Sequence, residues 1–182
     1  MSIFDEVKKD PEYNPKNSAI WFRYKINELT GNKTTYQHSA MMRIKGNKLE
    51  NSIIPGHLYT YKYDPKGKDT LPYYDIYPLV LPFRRMGPHF WGLNFHYIHP
   101  LTRGILFEKL LHLKDERSRM LFTWKLVKGG IFPGAKYCVK QYIVTHVRTQ
   151  FLRIPEADWK IALFLPTQKF IGASSADVWK KR

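Results

Sequence analysis

Between residues 57 and 63 an aromatic ring stands at every second position: His57, Tyr59, Tyr61 and Tyr63, with Leu58, Thr60 and Lys62 between them. Successive side chains of an extended chain point to opposite sides, so a period of two collects the rings on one face of a strand. On a helix the same rings would be scattered around the axis. Pro55-Gly56 before the stretch and Asp64-Pro65-Lys66-Gly67-Lys68 after it carry turn chemistry. Leu79-Val80-Leu81, between Pro78 and Pro82, predicts a short buried strand. Trp91, Leu93, Phe95 and Tyr97 alternate with Gly92, Asn94, His96 and Ile98 and predict a third. The tyrosine row and the Trp91–Tyr97 strand are expected to face partly into one core, with Lys62 and Asn94 pointing away from it.

The flanks read differently. Residues 1–17, with Pro11 and Pro15, predict an N-terminal arm, and 18–52 a helix and loop, the helix capped by Ser18 and closed near Gly31. Residues 100–182 predict a mainly helical segment with a basic tail. Thr102 would cap a helix over 103–114, with Leu106, Leu110 and Leu113 along one face. Residues 117–127 fit helix or strand. Val139, Ile143, Val147 and Phe151 predict a helix over 138–153, and Pro155, Glu156 and Asp158 suit the first turn of another that stops before Pro166. The chain is expected to be a single domain over 1–182 of α+β class: a small curved antiparallel sheet, or an SH3-type barrel, at about 53–99, wrapped by helices from both flanks. A hydrophobic content of 43% is enough to build its core.

Charge narrows the function. Thirty Lys and Arg stand against 15 Asp and Glu, a formal net charge of +15. A folded chain gains nothing from self-repulsion on that scale, so a polyanionic partner is expected, nucleic acid first. No run approaches the roughly 18–20 apolar residues needed to span a bilayer, so no membrane partner is expected. The start, Met1 to Glu6, has neither the charged nor the apolar region of a signal peptide. Cys138, the single cysteine, can form no internal disulfide and no cysteine-rich zinc module.

Residues able to carry catalysis are few. Asp64, Asp69 and Asp75 could hold a divalent ion for phosphodiester cleavage. Turn roles for Asp64 and Asp69, and a hydrogen-bonding role for Asp75, fit their neighbours better. His89, His96 and His99 have no cysteine or acid cluster beside them, Cys138 reads as a buried thiol, and Gly129-Gly130 and Gly134 read as turns. No catalytic residue, metal site or cofactor is therefore expected. The candidate nucleic-acid contacts are Arg84 and Arg85, which follow the Leu79–Leu81 strand; Arg117 and Arg119, which share a face if their stretch is extended and diverge if it is helical; and Lys180, Lys181 and Arg182 at the end. Lys125 and Lys128 extend the middle group. Tyr59, Tyr61, Tyr63, Tyr73, Tyr74 and Trp91 are candidate stacking planes.

Three segments carry a family likeness: Ile54–Lys66, Leu71–Pro82 and Gly92–Ile98. With the ending Lys169–Trp179 they resemble a family of small late virion proteins of T-even-type contractile-tailed phages, the DNA end protectors. The resemblance runs from about residue 18 onward. It implies a non-enzymatic virion protein, made in the host cytoplasm, that contacts packaged double-stranded DNA near its terminus and shields the end from host exonuclease. Its partners would be DNA ends and other virion proteins. The alternative is a structural adaptor of the phage neck or tail baseplate, its basic surface docked on acidic proteins. A second likeness concerns fold only: the Pro-Gly, strand, Asp-Pro, Pro-Leu-Val-Leu order resembles the SH3-type barrel of RNA-cutting plasmid-maintenance toxins. Their catalytic Arg and Thr have no clear equivalents here.

Overall fold

The tyrosine row enters an antiparallel sheet in the computed structural model, which describes residues 48–129, 135–156, 159, 162 and 168–180. The arm at 1–17, the helix expected from Ser18, most of the helix expected from Pro155, and Lys181 and Arg182 lie outside the described residues. The strands are β1 (Lys48–Glu50), β2 (Leu58–Thr60), β3 (Tyr74–Asp75), β4 (Leu79–Met86), β5 (His89–Asn94), β6 (Val139–Ile143), β7 (Phe151–Ile154) and β8 (Phe170–Ile171). Six of them form one sheet in the order β1-β7-β2-β4-β5-β6, while β3 pairs with β8 in a small second sheet. The turn after β2 falls at Lys66–Thr70, as the Asp-Pro-Lys-Gly signal predicts.

Both faces of the large sheet are buried, because alternate residues of the same strands feed two cores. Leu58, Leu79, Leu81 and Leu93 face one side, where Leu106, Leu110, Leu126 and Trp159 cover them. Tyr59, Tyr61, Val80, Phe90, Tyr142 and Phe151 face the other. The Tyr61 ring lies 5.6 Å from that of Tyr142, although β4 and β5 stand between their strands. Flat strands about 4.8 Å apart would hold those rings far beyond contact, so the sheet is strongly curled around its tyrosine face. A bridge between Tyr63 and Val147 draws the rim together. Among the described residues β1 and β6 remain the two edges, and the sheet is not a closed barrel. Gly92 lets β5 approach β4 closely, since a Cβ there would collide with Val80 Cγ1.

Several expectations are corrected. The sheet is not confined to 53–99, because β1, β6 and β7 lie outside that range. The single shared core is two cores. Lys62 is exposed as expected, but Asn94 is buried on the tyrosine side and its Nδ2 donates to the Tyr142 hydroxyl at 3.0 Å. The helix expected at 138–153 is instead β6, a 3-10 turn at Val144–His146, and β7.

The helices are α1 (Pro100–Leu111), α2 (Glu116–Gly129), α3 (Ala135–Cys138) and α4 (Ser175–Lys180). Helix α1 begins at Pro100, so Thr102 lies inside it rather than capping it. Helix α2 resolves the ambiguity at 117–127. Asp115 caps it, accepting from Ser118 N at 2.8 Å and from the Ser118 hydroxyl. Helix α2 packs on β4, and the turn entering β2 abuts its first residue. Gly56, at φ 92°, lies so close to the Glu116 carbonyl that a Cβ would overlap it.

Candidate nucleic-acid interface

Helix α2 divides its arginines by phase. At 100° per residue, Arg117 and Arg119 point nearly opposite ways. Arg119, Thr123 and Leu126 form the buried stripe. Arg117, Leu121, Trp124 and Lys128 form the outer one, at spacings of four, three and four, with Lys125 alongside. Arg117, Leu121, Lys125 and Lys128 are exposed and Trp124 is half-buried. The stripe runs about 16 Å, from 1.5 Å of rise per residue, roughly the length of five base pairs.

Strand β4 completes this surface through an irregularity. Its pairing with β5 shifts register between Pro82 and Arg84, which leaves Phe83 as an extra residue. Such a bulge turns two neighbouring side chains toward one side. Phe83 packs on Trp124 at 5.7 Å between ring centroids. The Arg84 guanidinium stands 5.6 Å from the centre of the Trp124 ring, and the Lys128 ammonium 5.0 Å from it. One indole thus gathers a cation from the sheet and a cation from the helix, each within cation–π range. Trp91, opposite Arg84 in the ladder, and Gln141, opposite Trp91, extend the row to the sheet edge at β6.

The sequence-predicted residues separate accordingly. Arg84 is exposed and joins the Trp124 cluster, and Arg117 is exposed on the same helical stripe. Arg85 is exposed too, but it pairs with Phe90, a residue of the tyrosine face, and so points to the other side of the sheet. Arg119 is 1% exposed. Its guanidinium donates to the Leu113 carbonyl from Nε at 3.2 Å and Nη2 at 3.0 Å, pairs with Glu156, and lies 5.0 Å from the Trp159 ring centre. It is a structural cation, and its nomination as a DNA contact is corrected. Lys180 is exposed at the end of α4, which packs on the 3-10 turn at Phe95–Tyr97. Tyr59, Tyr61 and Tyr63 are core residues and offer no stacking plane. Trp124 was missed, although its place between Arg117 and Lys128 at helical spacing was visible once α2 was recognised as a helix.

The segments Leu71–Pro82, Gly92–Ile98 and Lys169–Trp179 meet around one buried pair. His96 Nδ1 and Asp75 Oδ2 lie 2.6 Å apart, both nearly fully buried. Asp75 Oδ1 accepts from Tyr77 N at 3.1 Å and Lys169 N at 3.2 Å, while Trp179 Nε1 donates to the His96 carbonyl at 2.9 Å. Burial lowers the His96 pKa from its ordinary value against the opposing pull of Asp75. These groups tie β3, β8 and α4 to the end of β5. Asp64, the first of the candidate metal-binding acids, is paired with Lys68 and Arg148. Cys138 is buried, with its Sγ 3.6 Å from the Tyr97 carbonyl. Among the described residues no three His, Cys, Asp or Glu side chains cluster as a metal site, and no helix is long and apolar enough to cross a membrane.

Against known families, residues 2–182 match the model described as phage T4 terminal DNA protecting protein. No curated protein and no solved structure matches the chain.

Proposed function

Because the chain belongs to the phage T4 terminal DNA protecting protein family, we propose that it protects DNA ends by seating the duplex on the α2–β4 face. Arg117, Lys125, Lys128 and Arg84 neutralise phosphates along that face, and Trp124 fixes the direction of two of these cations. The carrying observation is the Arg84–Trp124–Lys128 cluster, which joins two elements into one basic ridge. Binding on this reading is sequence-tolerant, since phosphate contacts position a protein without reading bases. The role is steric and non-enzymatic: a bound protein occupies the terminus that a host exonuclease must engage. The protein travels in the virion on the same reading, and Lys180, Lys181 and Arg182 add cations that follow the packaged strand.

Exposed Leu121 and Met86, at 45% and 50%, support a second reading in which this face docks on an acidic neck or baseplate protein. Nuclease protection separates the two. Linear duplexes of several lengths, incubated with the protein and then with a double-strand exonuclease, are expected to survive in proportion to protein per end, whatever their length. Protection that scales with length, or none at all, would reject end protection and favour the adaptor.

A further inference from the structure

A cavity of about 250 Å³ opens on the tyrosine side of the sheet, beside edge strand β6. Asp75, Asn94, Tyr97 and Tyr142 are buried and form its floor; Tyr73 and Tyr74 are half-buried walls. Lys66 and Lys140 also line it, with Lys66 exposed and the Lys140 ammonium 4.2 Å from the Tyr97 ring centre. The hydrogen bonds of the Asp75 carboxylate come from His96 and two backbone N–H groups, so its charge is already committed to the fold. The cavity therefore offers flat aromatic walls and two cations. Its size falls below the roughly 300–1,000 Å³ of pockets for drug-sized ligands, which suits one ring system rather than a stacked pair.

Its position matters as much as its lining. Gln141 lines the cavity and stands in the same cross-strand row as Trp91 and Arg84. Two strand spacings separate Arg84 from Gln141, about 10 Å along the sheet. A duplex seated on the α2–β4 ridge can thus bring its last nucleotide over the β6 edge. Extruding a base from inside a duplex breaks its pair and two stacking contacts, whereas a terminal base gives up its pair and one stacking neighbour and leaves at lower cost.

We propose that this cavity takes the unstacked base of the terminal nucleotide, with Lys66 and Lys140 holding its phosphate. The inference rests on the DNA-end reading above and adds how an end is told from an interior. Aromatic stacking of one base, at about 1–3 kcal/mol, corresponds to roughly 5- to 150-fold in affinity.

The test compares two duplexes of one sequence, one with open ends and one closed by hairpin loops. The full-length protein is expected to prefer the open form, and free deoxynucleoside monophosphate at high concentration to remove that preference without displacing the closed duplex. Tyr74→Leu and Lys140→Gln should cut the open-end preference at least about fivefold while binding to the closed duplex persists, which also reports that the variants are folded. A 4-thiothymidine at the terminal position should crosslink to peptides of the cavity. If either variant is unfolded, the crosslink map decides. Wild-type preference for open ends that survives in folded variants, or crosslinks confined to α2, would overturn the cavity proposal alone. No preference for open ends in the wild type would overturn the end-binding reading beneath it. Free nucleotide that binds the cavity but leaves end preference intact would assign the pocket to a mononucleotide and reject the terminal base.

Discussion

Arg119 holds the end of the α1–α2 connection, through the Leu113 carbonyl, against Glu156 and the Trp159 ring. Glu156 is half-exposed, so the ion pair itself is screened and contributes little. The packed stem and the satisfied carbonyl carry the stabilisation. Arg119→Ala is expected to cost about 2–4 kcal/mol and to lower the melting temperature by at least about 5 °C, with DNA affinity per folded molecule unchanged. Arg117→Ala should do the reverse: a melting temperature within about 1 °C of wild type and a weaker complex. Paired thermal melts and DNA titrations check both. Two residues apart, these arginines look alike in sequence, because the difference depends on helix phase and on a glutamate 37 residues away. The histidines add a pH dependence. Burial lowers the pKa of His96 and, aided by Arg153, that of His57 from the ordinary 6.5. The unfolded chain then binds more protons than the folded one as pH drops past 6.5, so their contribution is complete above that value and is lost below it. Melting temperature should accordingly fall between about pH 7.5 and about pH 5.5. A rise over that interval would mean that Asp75 holds His96 protonated in the fold.

At the scale of elements, the contact that places α2 is the turn before β2. Gly56 N donates to the Pro82 carbonyl at 2.9 Å, and the Gly56 backbone lies against Glu116. A side chain here meets both a positive φ and the first turn of the helix. Gly56→Ala should destabilise by more than about 2 kcal/mol and, by moving α2 off β4, should weaken DNA binding in whatever fraction stays folded. Unchanged chemical denaturation would contradict that placement. Strands β2, β4 and β5 were legible because alternation and Pro-Gly punctuation marked them. Strands β6 and β7 were not. Val139, Ile143, Val147 and Phe151 repeat every four residues, and four is an even number, so the same spacing fits one face of a strand as well as a helix. The β-branched run Val139, Ile143, Val144, Thr145 and Val147 was the discriminating signal. The bulge at Phe83 left no mark in composition, since it is set by the partner strand.

For the molecule as a whole, the sheet buries both faces, one under helices and one by curling on its own tyrosines. Among the described residues, Arg84, Arg85, Arg117, Lys125, Lys128 and Lys180 are thereby left at the surface, while Arg119 and the buried Arg103, whose pKa burial lowers to about 10, are used inside. The excess charge was plain in the sequence, but its distribution was not, because that follows from which side of α2 meets the sheet. On the proposed reading the α2–β4 ridge carries the DNA. The most direct measurement is duplex affinity against salt concentration for the wild type and for the triple substitution Arg84→Ala, Lys125→Ala, Lys128→Ala. Each lost phosphate contact removes about 0.9 from the slope of log affinity on log salt. The triple variant is expected to show a slope shallower by about two to three and a much weaker complex at low salt, with the melting temperature held within about 3 °C. An unchanged slope and affinity in a folded triple variant would place the DNA elsewhere on the molecule and contradict a DNA-binding role for this ridge.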